Sequence, residues 1–541
     1  MTKYMKNKVV LILLGILLVA TFFRLFHLSV NPPSLTWDEV AWGYNAYSLG
    51  LDGKDEFGVF LPILYLESFG DFKPPLYAYL DILPVKILGM TELAVRLPSA
   101  VAGVITVFLT YLLVIQLFGK DRQKEALVAS FIVAISPWHI MLSRAAFEAN
   151  VSTMLIVLGL LFFFKSINEK KWYLPLSVLS FVASMYTFNS ARVTVPIIIA
   201  VLLIVHFKFL LKNLTVTITA AVIGVTLFLP LFIFLQSPQA KLRFAEVNIF
   251  SDISVINRTN QEVANDNNSA YSKIIHNRRF AYGVEYLKHY FDNLTPKYLF
   301  VTGDGNPKFS VQDVGQMYLW ELPFLIIGFL VLFRKRTKHW WVVPFMIGVA
   351  LIPAGFARET PHALRTESAV PFFQIVSAIG ACVAIGMLRG KVQIFSKIAL
   401  SIVILFSVIY FGHNLFFQYP KEYSGEWQYG YKEAISYVQN NFNTYDEIYM
   451  TEALGRPYIY YLFYLKYNPE KFRLSADIYR EPLGFVHVRS FDKIYFSEKP
   501  QQAKKKNALY IVHPDELPNG SRRLKEFKLL NGRTILVAYT I

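Results

Sequence analysis

The chain has 541 residues, 54% of them hydrophobic, 16% aromatic and 17% charged, with a mean hydropathy of +0.38. Soluble chains carry about a quarter charged residues, so an ordinary water-soluble enzyme is excluded, and several apolar runs approach the ~20 residues that cross a bilayer as a helix. The net charge of +16 would suit a nucleic-acid binder, but the cations lie in short loops between apolar runs, and the single cysteine, Cys382, excludes an internal disulfide and a cysteine-based metal site.

In chain order, Val9 to Leu28 is the first run, preceded by Lys3, Lys6 and Lys8. It is long and no Ala-x-Ala-like cleavage site follows, so it reads as an uncleaved anchor. Further spans are expected at Leu93–Phe118, Ala126–Leu142, Val151–Phe164, Tyr173–Phe188, Val193–Val205 and Leu214–Leu235. After a polar gap come Tyr318–Phe333, Trp341–Phe356, Ala369–Leu388 and Ile398–Phe417. The expectation is an α-helical polytopic membrane protein with about eleven transmembrane helices.

Every second connection is short and basic: Lys120, Arg122 and Lys124; Lys165, Lys170 and Lys171; Lys208 and Lys212; Arg334 to Lys338; Arg389 to Lys397. Cytoplasmic loops have this bias. It places the N-terminus in the cytoplasm and three polar regions outside the plasma membrane: loop 29–92, loop 236–316 and tail 418–541. A membrane module over 1–417 and an extracytoplasmic α/β domain over 418–541 follow. In the tail, Glu426–Phe442 and Arg456–Tyr467 read as helices, and Glu447–Thr451, Lys493–Phe496, Ala508–His513 and Thr534–Tyr539 as strands. Tyr271 to Phe291 in the second loop also looks helical.

The chemistry gathers in the polar regions. Asp38 and Glu39 open a short helix just past the first span. Thr36 with Glu39 has capping-box spacing, so Glu39 reads equally as a cap or a functional acid. Asp38, at the mouth of a membrane cavity, suits a general base that takes a proton from an attacking hydroxyl. Farther on, Lys73 precedes Pro74 and Pro75, which present its ammonium from a stiff corner, with Asp71 two residues earlier. Such a cation suits a lipid phosphate, although juxtamembrane lysines commonly just snorkel to headgroups. Arg144, Arg192, Arg358 and Arg365 break the charge bias by lying in outer loops, which points to an anionic ligand or to helix-tying ion pairs. Arg144 and Glu148 have the spacing to pair on one helix face. His362 lies in the Arg358–Arg365 cluster.

Thr36-Trp-Asp-Glu-Val followed by Lys73-Pro-Pro-Leu resembles the first outer loop of the protein O-mannosyltransferase and aminoarabinose transferase group, GT-C fold membrane glycosyltransferases that use polyprenyl-phosphate sugars. Ser136-Pro-Trp-His, Ser143-Arg-Ala-Ala-Phe-Glu, Pro361-His-Ala-Leu-Arg-Thr and Leu299 to Lys308 are similar to segments of glycosyltransferase family 39. The resemblance covers about Met1 to Phe417. It implies that Asp38 is the catalytic carboxylate with Glu39 its neighbour, and that Lys73 contacts the lipid-linked phosphate. Phe72 stands where some members have an acid or histidine, so Asp71 or Glu67 would take the second acidic position. Arg144, Arg192, His362 and Arg365 complete the expected donor site.

The expected reaction is inverting transfer of a sugar from a polyprenyl-phosphate donor to a hydroxyl of a protein, lipid or envelope glycan. No nucleic acid is involved, and the other partners are membrane lipids. No cofactor is required by the pattern; the paired acids leave room for a divalent cation, though no His-rich ligand set accompanies them. The rival readings are a polytopic transporter, a non-catalytic binder acting through its tail, and a transferase of a non-sugar group from a lipid carrier.

Overall fold

The computed structural model describes residues 3–241, 248–481 and 485–541. Parts of the expected loop 236–316 and of the tail, at 242–247 and 482–484, lie outside the described residues. The chain forms two compact units: Met1–Arg24, Ala102–Ser143 and Glu148–Phe411 make one; Leu25–Val101, Arg144–Phe147 and Gly412–Ile541 make the other.

The first unit is helical, and each apolar run read from the sequence coincides with a helix. Among the described residues, six helices can cross a membrane by length and composition, or seven if the bent pair Gln123–Ile135 and Pro137–Arg144 counts as one. The chain is thus a multi-pass membrane protein. The number falls short of the eleven expected because several runs make only short helices: Tyr173–Met185 has 13 residues, Val342–Gly355 has 14, and Ala191–Val205 and Glu321–Lys335 have 15 each. At 1.5 Å per residue, 15 residues reach about 22 Å, less than the ~30 Å hydrocarbon core. The bent pair turns by 53° at Ser136-Pro137. Proline pushes the preceding residue out of helical geometry, and Ser136 has ψ 123°.

Helices Glu321–Lys335 and Val370–Met387 approach closely where both carry glycine. A Cβ on Gly380 would run into the Phe324 carbonyl oxygen, and one on Gly328 into the Val376 carbonyl oxygen. Small residues allow this backbone approach where no water drives helices together.

The second unit is built on a seven-stranded mixed sheet in the order Asp477–Arg480, Val486–Phe491, Ile494–Ser497, Glu447–Thr451, Ala508–Val512, Thr534–Thr540, Arg522–Lys528. Its strands are β3 Glu447–Thr451, β4 Asp477–Arg480, β5 Val486–Phe491, β6 Ile494–Ser497, β7 Ala508–Val512, β8 Arg522–Lys528 and β9 Thr534–Thr540. The four strands expected in the tail are present, as are helices Tyr431–Asn440 and Pro457–Tyr464. Strands β4, β5 and β8 were not expected. β4 and β8 are the sheet's edges and largely exposed, and β8 reads Arg-Arg-Leu-Lys-Glu-Phe-Lys. Charge protects an edge from further pairing, and it also hides the strand from a hydrophobicity pattern.

Residues 25–101 fold in one compact unit with 144–147 and 412–541. Tyr460 donates to the Leu35 carbonyl at 3.0 Å and Lys432 to Glu92 at 2.7 Å, while Arg473 pairs with Asp52 and Arg480 with Glu67. Far from being an open loop, residues 29–92 contain helix Trp37–Asp52, the hairpin of β1 (Leu66–Ser68) and β2 (Asp71–Lys73), and helix Leu76–Leu88.

Candidate active site

Helix Trp37–Asp52 begins with a capping box. The Thr36 hydroxyl accepts from the Glu39 amide at 3.3 Å, and Glu39 Oε2 accepts from the Thr36 amide at 2.9 Å. The Glu39 side chain is fully buried, and its Oε1 also accepts from Arg96 Nε at 2.9 Å and from the Ala146 amide at 3.0 Å. Arg96 in turn donates to the carbonyls of Leu28, Pro32 and Ser34. Glu39 is thereby occupied in holding the segment before its helix. A buried pair of this kind resists losing either member.

One residue earlier the situation reverses. The Asp38 side chain is 53% exposed and holds the Lys73 ammonium. Lys73 is itself only 10% exposed, with its nitrogen 5.4 Å from the Trp42 ring centre and 5.3 Å from that of Phe69. Aromatic faces attract a desolvated cation. The hairpin positions the lysine: Leu66 pairs with Lys73 and Ser68 with Asp71, and the turn between them is Phe69-Gly70 with φ of 62° and 85°. Two left-handed residues suit a tight hairpin, but a bulky Phe there is strained. Its ring also lies edge-on to Tyr458. Asp71 starts β2, and Pro75 caps helix Leu76–Leu88, so the prolines precede that helix.

Two further acids went unnoticed in the sequence. Glu56 and Asp81 are fully buried, and both carboxylate oxygens of each lack a hydrogen-bond partner among the described residues. Burial first, then Asp55, holds Glu56 well above the usual carboxylate range; burial and then Glu39 does the same for Asp81. The Asp55-Glu56 doublet was the available signal for the first; Asp81, in an apolar helix, was the signal for the second.

The other expected residues take different places. Arg144 belongs to the same unit as Asp38 and is fully buried. It donates to the Phe26 and Asn31 carbonyls at 2.9 and 2.7 Å and stacks 5.1 Å from the Phe416 ring. It ends one helix and Glu148 begins the next, so the shared helix face implied by their spacing does not exist. Arg192, His362 and Arg365 lie in the first unit. Arg192 donates to the Met185 carbonyl at 3.1 Å. The loop holding His362 is tied down by its own amide to Asn293 at 2.9 Å and by the Ala363 amide to Asp304 at 2.6 Å. Burial, helped by Arg365, pushes the His362 imidazole down to about 3. It is neutral at neutral pH and brings no charge to a phosphate. Arg365 lines a cleft of about 210 Å³ with Ser152, Thr153, Ser190, Thr194 and Glu367. Among the described residues, no group of three or more His, Cys, Asp or Glu side chains could hold a metal ion.

The multi-pass helical unit and the sheet-based unit give the chain a GT-C-like fold. In sequence it resembles glycosyltransferase family 39: residues 72–234 match the family model described as dolichyl-phosphate-mannose-protein mannosyltransferase. The fold matches that of ArnT from Cupriavidus metallidurans in the apo state, with a TM-score of 0.55, 12% identity and 98% of each chain covered. The same protein bound to undecaprenyl phosphate matches with a TM-score of 0.54 and 11% identity, over 98% of this chain and 97% of that one. In sequence, the candidate mannosyltransferase YkcB of Bacillus subtilis (strain 168) is 35% identical over 102 residues, which are 18% of this chain and 13% of that protein. An uncharacterized protein of Aquifex aeolicus (strain VF5) is 32% identical over 117 residues, 22% of this chain and 23% of its own. The matched segments therefore span less than a quarter of these curated relatives.

Proposed function

We propose that this protein is a polyprenyl-phosphate-sugar-dependent glycosyltransferase, and that Asp38 and Lys73 form its reaction centre. The observation that carries the reading is their opposed exposure. Lys73 is fixed and desolvated against two rings, whereas Asp38 reaches outward from the first turn of a rigidly anchored helix. An ammonium with three donors can serve Asp38 and a phosphate together.

In this scheme Asp38 accepts the proton of the acceptor hydroxyl. The oxygen bonds to the anomeric carbon from the side opposite the phosphate, the carbon–phosphate oxygen bond breaks, and polyprenyl phosphate leaves with the electron pair and inverted sugar stereochemistry behind it. Lys73 stabilises the charge that builds on that phosphate, an effect often worth several kcal/mol when the donor is preorganised. Binding of undecaprenyl phosphate by the structurally similar ArnT supports a lipid-phosphate donor. The alternation of basic loops supports a plasma-membrane protein with a cytoplasmic N-terminus and this site on the outer face.

The test is reconstitution with a panel of polyprenyl-phosphate sugars, following release of polyprenyl phosphate. With the active sugar, Lys73→Ala should raise the KM for donor and lower kcat, and Lys73→Arg should recover part of the loss. Release that is indifferent to Lys73 would refute the assignment.

A further inference from the structure

The sequence places residues 236–316 in a polar loop, yet helix Arg278–Asp292 carries a long apolar stripe that no part of the described protein covers. Phe280, Val284, Leu287 and Phe291 are 66%, 47%, 53% and 56% exposed. At 100° per residue these four fall within an arc of about 60°. The short helix Ala270–Ile275 before it exposes Ile274 and Ile275 as well.

The remaining faces of this helix are already used. Tyr286 stacks on Phe356, Tyr282 packs against Phe250, and His289 bonds the Ala357 carbonyl at 2.8 Å. Glu285 faces Arg258 of helix Ile253–Asn265 at 3.8 Å. Most telling is Tyr290, whose hydroxyl donates to the Gly348 carbonyl at 2.9 Å. Gly348 lies inside the apolar helix Val342–Gly355, seven residues before its end, which is about 10 Å along the axis. Helix Arg278–Asp292 therefore runs alongside the last half of this apolar helix, from Gly348 to just past its end at Phe356 and Ala357. Exposed Lys288 and Arg279 flank the stripe on either side.

We propose that helix Arg278–Asp292 lies in the bilayer interface, with its stripe among the acyl chains and its cations on anionic phospholipid headgroups. A Phe- and Leu-bearing face, a basic polar face and attachment along a membrane helix are the features of an interfacial helix. The surface is continuous with the protein's membrane-embedded part, which singles out lipid over a protein partner as its occupant.

The test uses the full chain in nanodiscs. Cys382→Ser removes its single cysteine, and nitroxides are then placed one at a time at Phe280, Val284, Leu287 and Phe291, and at Arg278, Glu285 and Lys288. In discs containing phosphatidylglycerol, the ratio of oxygen to water-soluble nickel-chelate relaxation should peak at the four stripe positions and drop at the other three, with the helical period. It should fall at the stripe when phosphatidylglycerol is replaced by phosphatidylcholine. Nickel accessibility at all seven positions would overturn the proposal in favour of a solvated helix. Exclusion of both relaxants at the stripe would overturn it in favour of a protein partner, and an unchanged ratio in phosphatidylcholine would overturn the anionic-headgroup component.

Discussion

Asp38 and Glu39 are adjacent, chemically similar and predicted to fail in opposite ways. Replacing Glu39 by Gln keeps a side chain able to serve the capping box, but removes the charge that faces Arg96 with both side chains fully buried. Leaving one member of a buried pair alone costs about 3–5 kcal/mol. For a unit of roughly 200 residues each kcal/mol shifts Tm by about 2–4 °C, giving a fall on the order of 10 °C. Asp38→Asn removes a half-exposed carboxylate but keeps an oxygen that can accept from Lys73, so its stability cost should be the smaller of the two. As the general base it should cost about 10²–10⁴ in rate. The assay is a thermal scan of detergent-solubilised protein beside single-turnover release of polyprenyl phosphate. A stable, inactive Glu39→Gln would refute the reasoning, because it would place the chemistry on the buried acid; so would an Asp38→Asn variant with parental rates.

Gly380→Ala should destabilise the first unit by about 1–3 kcal/mol through overpacking, since its Cβ meets the Phe324 carbonyl oxygen. Gly386→Ala, in the same helix and with open space around it, is the control, and equal melting of the two would contradict the close approach. A third expectation concerns pH. Burial raises the Asp304 carboxyl to about 6 from an ordinary value near 3.8, so the folded state holds its proton more tightly than the unfolded one. The stability this provides is complete below about pH 4 and is lost as pH rises through about 6. Asp304→Asn cannot ionise, and its Tm relative to the parent should climb between pH 4 and 7. A pH-independent difference would count against that burial.

How much of this was legible beforehand differs from residue to residue. The Thr36–Glu39 capping box could be read because both partners lie within one helical turn. The same sequence gave no sign of Arg96, 57 positions away, whose pairing turns Glu39 from a candidate acid into an anchor. Lys73 could be marked as unusual from its prolines, but its setting depends on Trp42 and on a left-handed Phe69. Glu56 and Asp81 were invisible because a carboxylate in sequence carries no mark of its burial.

The sequence by itself determined the membrane class, the positions of the apolar helices and the basic connections, because bilayer insertion selects on composition along a continuous stretch. It also singled out Asp38 and Lys73 as the proposed reaction centre. Only the tertiary structure decided that the first loop folds with the tail, that Arg192, His362 and Arg365 belong to a different compact unit from Asp38 and Lys73, and that Glu39 is buried while its neighbour Asp38 is half exposed. Those outcomes are set by partners distant along the chain and by desolvation, and neither is written in the local order of residues.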